Sequence, residues 1–380
     1  MKVNSTCSYF PRPVAGRLAI GLLCCLLTRN QHAQIVVDDT TATSVRGAAS
    51  VVSGTMAGNA LSLADSSALS ATGGAQEASV LEENLSGVVS AEDSHAATIG
   101  QRNATSSEAS AGSLSFTSCS DSLLGGTTIK ADFVMSRAQA TCSPNGPTAS
   151  GQMEVSGLVV NGQSIAVSGG SSVIGLVING QNVTASGQAN QMILLPNGST
   201  VIINEQTIAQ TATTADITVN ALHVIAPCAS ADVIVGSASA GTTCGSESSQ
   251  ITTCGDFVTG GGWITGTPSG ARANFGAAGG IKDGAYWGHL NYIDHGNGMH
   301  VEATAVTGYA VDENDPDCRI IDCNVTIDDQ PGTARVRVCD KGEPGLNDIF
   351  DIELSNGYRA SGDLGGSRPG GGNIQVHKCS

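Results

Sequence analysis

Aromatic side chains make up only 3% of this chain, and they are unevenly placed. Between Gln34 and Cys254 there are two, Phe116 and Phe133; from Gly255 onward there are nine. Charge is also sparse at 13%, and basic residues are the rarer kind: 17 Lys and Arg against 33 Asp and Glu, a net charge of −16. Such a chain repels nucleic-acid phosphates and anionic membrane surfaces, so neither is an expected partner. The longest apolar run near the start, Leu18 to Leu27, falls short of the ~20 residues a spanning helix needs. No later run is longer, so no transmembrane segment is expected. No Cys-x-x-Cys pair offers a structural zinc site. The nucleophile elbow Gly-x-Ser-x-Gly and the phosphate loop Gly-x4-Gly-Lys-Ser/Thr are both missing, as is a His-Glu-x-x-His helix. These absences argue against an enzyme.

What is present reads as an exported β protein. Lys2, Arg12 and Arg17 precede the short apolar run and a polar stretch ending at Ala33, the pattern of a signal peptide over residues 1–33. Cys24 and Cys25 follow bulky Leu22 and Leu23, where a lipid-anchor motif needs small residues, so simple secretion is the expectation. The tail after Gly370 carries no hydrophobic anchor. Nine cysteines remain beyond the leader, and in an exported chain they read first as disulfides. Their odd number leaves one thiol over. Cys318 and Cys323, with four residues between them, are the first candidate pair; Cys119 and Cys142, flanking one strand pair, are the second.

The aromatic step divides the chain. The expected domains are a β-rich module over 34–241, a linker over 242–255 rich in Ser, Thr and Gly, and a C-terminal β module over 256–380. The first begins with Ala, Ser and Gly from about Thr41 to Ser113, read as strands with loose loops. Segments 157–169 and 175–187 are near-copies. Each centres on Asn-Gly, at Asn161-Gly162 and Asn179-Gly180, and a third Asn-Gly follows at Asn197-Gly198. Asn-Gly between β-branched runs is a strong hairpin signal, because both residues tolerate φ > 0. An 18-residue shift preserves side-chain parity. The copies are therefore expected to bury the same faces, with Leu158 and Val160 equivalent to Leu176 and Ile178, and to pack as neighbours in one sheet. Further strands read at 217–225 and 232–237. In the C-terminal module, 263–265, 289–293, 299–306, 324–327, 334–339, 349–354 and 372–377 alternate in strand fashion. The fold class expected is mainly β, with a hairpin meander or sandwich followed by a smaller β-sandwich or barrel.

Several motifs carry a family resemblance. The stretch from Ala60-Leu61-Ser62-Leu63-Ala64-Asp65 through Glu108-Ala109-Ser110, with Ile129 to Phe133, Asn161-Gly162-Gln163, Val201 to Gln206 and Asp216 to Val224, resembles the choice-of-anchor P family of exported bacterial proteins. Gly260 to Ile264, Ala273 to Gly276, Tyr292 to His295, Asp340 to Gly345, Ser355 to Tyr358 and Gly371 to Lys378 resemble the domain that follows choice-of-anchor regions. The resemblance implies an extracellular or cell-surface, non-catalytic role and brings no catalytic residues. Two departures stand out: the Asn-Gly-Gln hairpin is duplicated, and the sorting tail is missing.

Candidate sites are weak by pattern alone. Trp263, Tyr286, Trp287 and Tyr292 offer ring faces for a sugar, against the plainer reading that they build the core. Asp340, Glu343, Asp348 and Asp351 lie in or beside loops and offer oxygens to calcium, against solvated hairpin acids. His289, Asp294, His295 and His300 contain metal-ligand types, but a Gly-Asn-Gly turn breaks their register before His300. Gly260 to Gly262 and Gly370 to Gly372 read as turns or points of close approach. The first functional expectation is a structural or interaction protein outside the cell. A carbohydrate- or protein-binding module using the C-terminal aromatics is the second, with an extracellular protein or polysaccharide as partner. A hydrolase with an unrecognised site is the third.

Overall fold

A computed structural model describes residues 41–85, 87–118, 126–165, 174–178, 181–185, 188–227, 230–245, 255–282, 284–343, 345–366 and 371–378. The leader, Cys119 and most of the expected linker lie outside them. The chain from Asp38 to Ser380 forms one compact unit. Its described residues are mainly β, with no α-helix among them.

The chain opens with β1 (Thr41–Met56) and β2 (Asn59–Asp65). It crosses to a second sheet for β3 (Gly74–Leu85), β4 (Val89–Gln101), β5 (Ala104–Ser118), β6 (Thr127–Ser143), β7 (Gly146–Ser156), β8 (Leu158–Val160) and β9 (Gln163–Ile165). A hairpin, β10 (Ile174–Ile178) and β11 (Gln181–Ala185), pairs only with itself. The chain then returns for β12 (Gln191–Leu194), β13 (Thr200–Gln210), β14 (Thr214–Ala226) and β15 (Ala231–Gly245). β15 pairs with β1, so sheet one runs β12-β13-β14-β15-β1-β2. Sheet two runs β3-β4-β5-β6-β8-β9, with β7 also paired to β6.

Sheet three takes all the rest. It comprises β16 (Phe257–Ile264), β17 (Ala273–Lys282), β18 (Ala285–Asp294), β19 (Met299–Asp312), β20 (Asp315–Ile327), β21 (Gln330–Cys339), β22 (Ile349–Leu354), β23 (Arg359–Asp363) and β24 (Gly372–His377). Its order is β23-β22-β21-β20-β19-β18-β17-β16-β24, every pair antiparallel, and it curls as a half-barrel around its own core.

Two large apolar cores fall on either side of the expected linker. One lies between sheets one and two, from Ala49 to Ala240. The other fills the curl of sheet three, from Val258 to Ile374. Sheet two is covered on both faces, by sheet one and by β16, β17 and β18 of sheet three. This explains the odd composition of β4 and β5. A strand buried on both sides between closely approaching sheets has room for Ala, Ser, Thr and Gly but little for aromatics. Gly47 marks the approach on one side, where a Cβ would stand 2.4 Å from Thr98 Oγ1. Gly261 marks it on the other, where a Cβ would stand 2.9 Å from Ser110 Oγ. The Gly260 to Gly262 run is thus a stretch of β16 rather than a turn.

Both copies of the Asn-Gly unit form antiparallel hairpins. Asn161 and Gly162 have φ of +48° and +77°, the paired positive values the turn demands. The expectation of one shared sheet fails: β8 and β9 extend sheet two through β6, whereas β10 and β11 form a two-stranded sheet of their own that adjoins β9. Leu158 and Val160 are buried; Asn179, Gly180 and the side chains of the second copy lie outside the description.

The cysteines also pair differently from expectation. Cys318 bonds Cys339, and Cys323 is a buried free thiol. Both Cys318 and Cys323 belong to β20, and five residues of extended strand separate them by roughly 16 Å. Cys339 instead sits directly opposite Cys318 on β21, with Cα atoms 4.0 Å apart. Cys142 bonds Cys244, joining β6 to β15 and hence sheet two to sheet one. Cys244 is therefore part of a strand, not of a linker.

Candidate functional site

Between sheets two and three the packing is polar. From β5, the Glu108 carboxylate takes Arg137 Nε of β6 at 2.5 Å on one oxygen and lies 3.1 Å from His95 Nε2 of β4 on the other. Thr259 of β16 donates its hydroxyl to Glu108 at 3.0 Å and lies 3.2 Å from His377 Nε2 of β24. Arg137 reaches on to Glu343 at 3.0 Å, and Glu343 accepts from Asn373 of β24. Alongside run Asn274 to Glu92 at 2.9 Å, His295 to Glu92 at 3.2 Å and His289 to Glu77 at 3.2 Å. The layer is a ladder of charges crossing from one sheet to the other.

Burial sets the protonation of these groups. Burial pushes the Glu108 carboxyl up, but the Arg137 charge and the His95 hydrogen bond outweigh it and hold the group far below the carboxylate range. Asp93 has no such partner. Burial, with the Glu92 charge beside it, drives it well above its ordinary value, and neither oxygen has a hydrogen bond within the chain. Burial also lifts Glu154 to about 8, despite the Gly372 N–H and Arg137. His377 is pushed down to about 3 by burial and by Arg137, and His95 is lowered by burial and by the His289 charge. The layer thus holds ionised Glu108, Glu77 and Glu92 beside their partners, with Asp93, Glu154, His95 and His377 shifted toward their neutral forms.

Two spaces border the layer. A void of about 20 Å³ lies against Glu108, Arg137, Thr259 and His377, enough for one water. Next to it, at the edge where β4, β5 and β6 meet the start of β16 and the end of β24, a cleft of about 210 Å³ opens. Gln101, Asn103, Ser106, Gln139, Thr141, Phe257 and Gln375 line it.

The aromatics expected to form a platform do not come together. Trp263 is buried, with the Arg272 guanidinium 4.9 Å over its ring. Tyr292 is wholly buried, near Phe350 and bonded to Tyr358 at 2.7 Å. Tyr286 is exposed, and its strand neighbour Trp287 points to the opposite face toward Phe257.

The calcium candidates do not converge on one point, and each is already bound by the protein. Asp340 accepts from the Gly342 and Val376 N–H groups, and Asp348 from those of Lys341 and Ile374. Glu343 holds Arg137 and Asn373, while Asp351 holds Arg337 and Ser361. Burial raises Asp348 to about 6 even with two N–H donors. Among the described residues, the one convergence of three metal-ligand side chains is Asp315 with Cys318 and Cys339, whose sulfurs are joined in a disulfide. His289 and His295 face different carboxylates, Asp294 accepts from Tyr358, and His300 meets Asp328 through its backbone N–H, so they form no common site.

Sequence reasoning passed over Glu108, Arg137, Gln139 and Gln375. Glu108 does leave a signal, as the lone charge of β5, whereas Arg137 shares β6 with Lys130 and Asp132 and does not stand out. The two glutamines leave none.

No protein-family profile and no curated protein sequence matches the chain. Two solved structures are similar to it in a limited sense. One is a protein designated AttH from Nitrosomonas europaea, at 8% identity and TM-score 0.20, covering 88% of this chain and 92% of that one. The other is kievitone hydratase from Nectria haematococca, at 8% identity and TM-score 0.18, covering 89% and 90%. At such TM-scores neither carries an argument.

Proposed function

We propose that the chain is a non-catalytic exported protein, secreted or held at the cell surface, that serves as a β scaffold and binding module. The single observation that carries this is that the paired Glu108 and Arg137 line the small void and not the larger cleft. The ionisable residues of the interlayer hold two sheets together beside a void that fits one water. Among the described residues the larger cleft is lined mainly by amides, hydroxyls and apolar groups, with His377 and Lys378 and without a carboxylate. A general acid and base need reach to a substrate, and the paired Glu108, Arg137 and Thr259 have none. The resemblance to choice-of-anchor proteins supports the same reading. So do the two disulfides among the described residues, since such bonds persist in oxidising compartments.

Expression of the full chain with its leader, followed by fractionation and thiol mapping, tests this. The protein is expected outside the cytoplasm with Cys142–Cys244 and Cys318–Cys339 formed. Retention in the cytoplasm with these four thiols reduced contradicts it.

A further inference from the structure

We propose that the cleft beside the interlayer binds one neutral sugar residue. Its volume of about 210 Å³ sets the scale. A cavity of about 150 Å³ accommodates benzene, so this one suits a six-membered ring with its substituents. The chemistry of the walls sets the class. Gln139 and Gln375 present carboxamides, and Ser106 and Thr141 present hydroxyls. Each offers both donor and acceptor, as a sugar hydroxyl does. Phe257 and Ile99 supply an apolar wall for the C–H face of a ring.

Charge narrows the choice further. Among the described residues no carboxylate lines the cleft, so these walls offer no negative charge to attract a metal ion or an amine. The one cationic side chain among the described lining residues, Lys378, leans on Asp317 at 3.4 Å. His377 is neutral, because burial holds its imidazole at about 3. A neutral, hydroxyl-rich ligand matches these walls better than an anion. The site differs from the dispersed set of Trp263, Tyr286, Trp287 and Tyr292. It deepens the binding role proposed above, yet fails separately, since a lack of sugar binding leaves export and disulfide formation untouched.

The test uses the secreted chain and the methyl glycosides of glucose, galactose, mannose and N-acetylglucosamine. Glucuronate and a neutral glutamine-containing peptide serve as competitors. Titration calorimetry at about 0.05 and 0.5 M salt reads the affinity. At least one neutral glycoside is expected to bind, with less than about a two-fold change between the two salts. Gln139→Ala, at an exposed side chain, should weaken binding about ten-fold by removing a hydrogen-bonding partner. Ala104→Phe should abolish binding by filling the cleft, while the unfolding midpoint of either variant stays near that of the parent. Absence of binding by all four glycosides, tighter binding of glucuronate or of the peptide, or unchanged affinity in both variants overturns the proposal.

Discussion

Sheet two meets its two neighbours in opposite ways. Toward sheet one it presents Ala109, Leu114, Ile129, Val134 and Val155 to an apolar core, and the Cys142–Cys244 disulfide staples that side. Toward sheet three it presents Glu77, His95, Glu108 and Arg137, paired with or beside His289, Thr259 and Glu343. The apolar face is held by area removed from water, a term indifferent to pH and register-tolerant. The polar face is held by a few desolvated charges, which lose much when one partner is removed and little when all are replaced together. The difference teaches that one strand set joins a stable core on one side to a specific, titratable contact on the other.

The largest effect is expected at the polar face. Arg137→Ala leaves Glu108 buried without its cation and should cost about 3–5 kcal/mol in urea unfolding. On the apolar side, removing both Cys142 and Cys244 frees a span of 102 residues and should cost about 4 kcal/mol, read as a lowered midpoint. Leu222→Ala, in the same core, should cost about 3 kcal/mol, equally at pH 6 and pH 9.

Of the two faces of sheet two, the polar one should respond to pH. Glu154, raised to about 8, holds its proton in the fold long after an unfolded glutamate has released it near ~4.3. Its contribution is complete below the unfolded value and disappears as pH rises through about 8. Glu108 is the reverse: its depressed carboxyl contributes above the unfolded value and loses that as pH falls. Between pH 7 and 9 the parent should lose about 1 kcal/mol that Glu154→Gln retains. The smallest effect belongs to joint replacement. Changing Glu108, Arg137 and His95 together to Leu, Met and Phe should leave stability within about 1 kcal/mol of the parent or above it.

The β class and many strands were legible in the residues. Segments 349–354 and 372–377 coincide with β22 and β24, and Asn161-Gly162 makes the turn its pair demands. β17 escaped notice because Ala, Asn and Gly dominate it, and those residues fit a strand only when both faces are covered. The disulfides were misread because sequence spacing measures chain length, whereas strand register decides which Cβ atoms meet. The interlayer was invisible for a related reason: Glu108 and Glu343 are far apart in the chain, and only the stacking of sheets brings Arg137 between them.

The central claim is that two apolar cores are joined through a layer of buried charge. Trp263 and Trp287, the only tryptophans, both belong to sheet three but lie outside its apolar core, on the side facing sheet two, so their fluorescence reports the contact between the two sheets. Far-UV circular dichroism reports all three sheets. The parent should show coincident urea midpoints by the two probes at neutral pH. In Arg137→Ala the midpoints should separate, because the contact linking the cores is weakened while each core stays intact. Coincident midpoints in Arg137→Ala, with stability unchanged from the parent, would contradict the account.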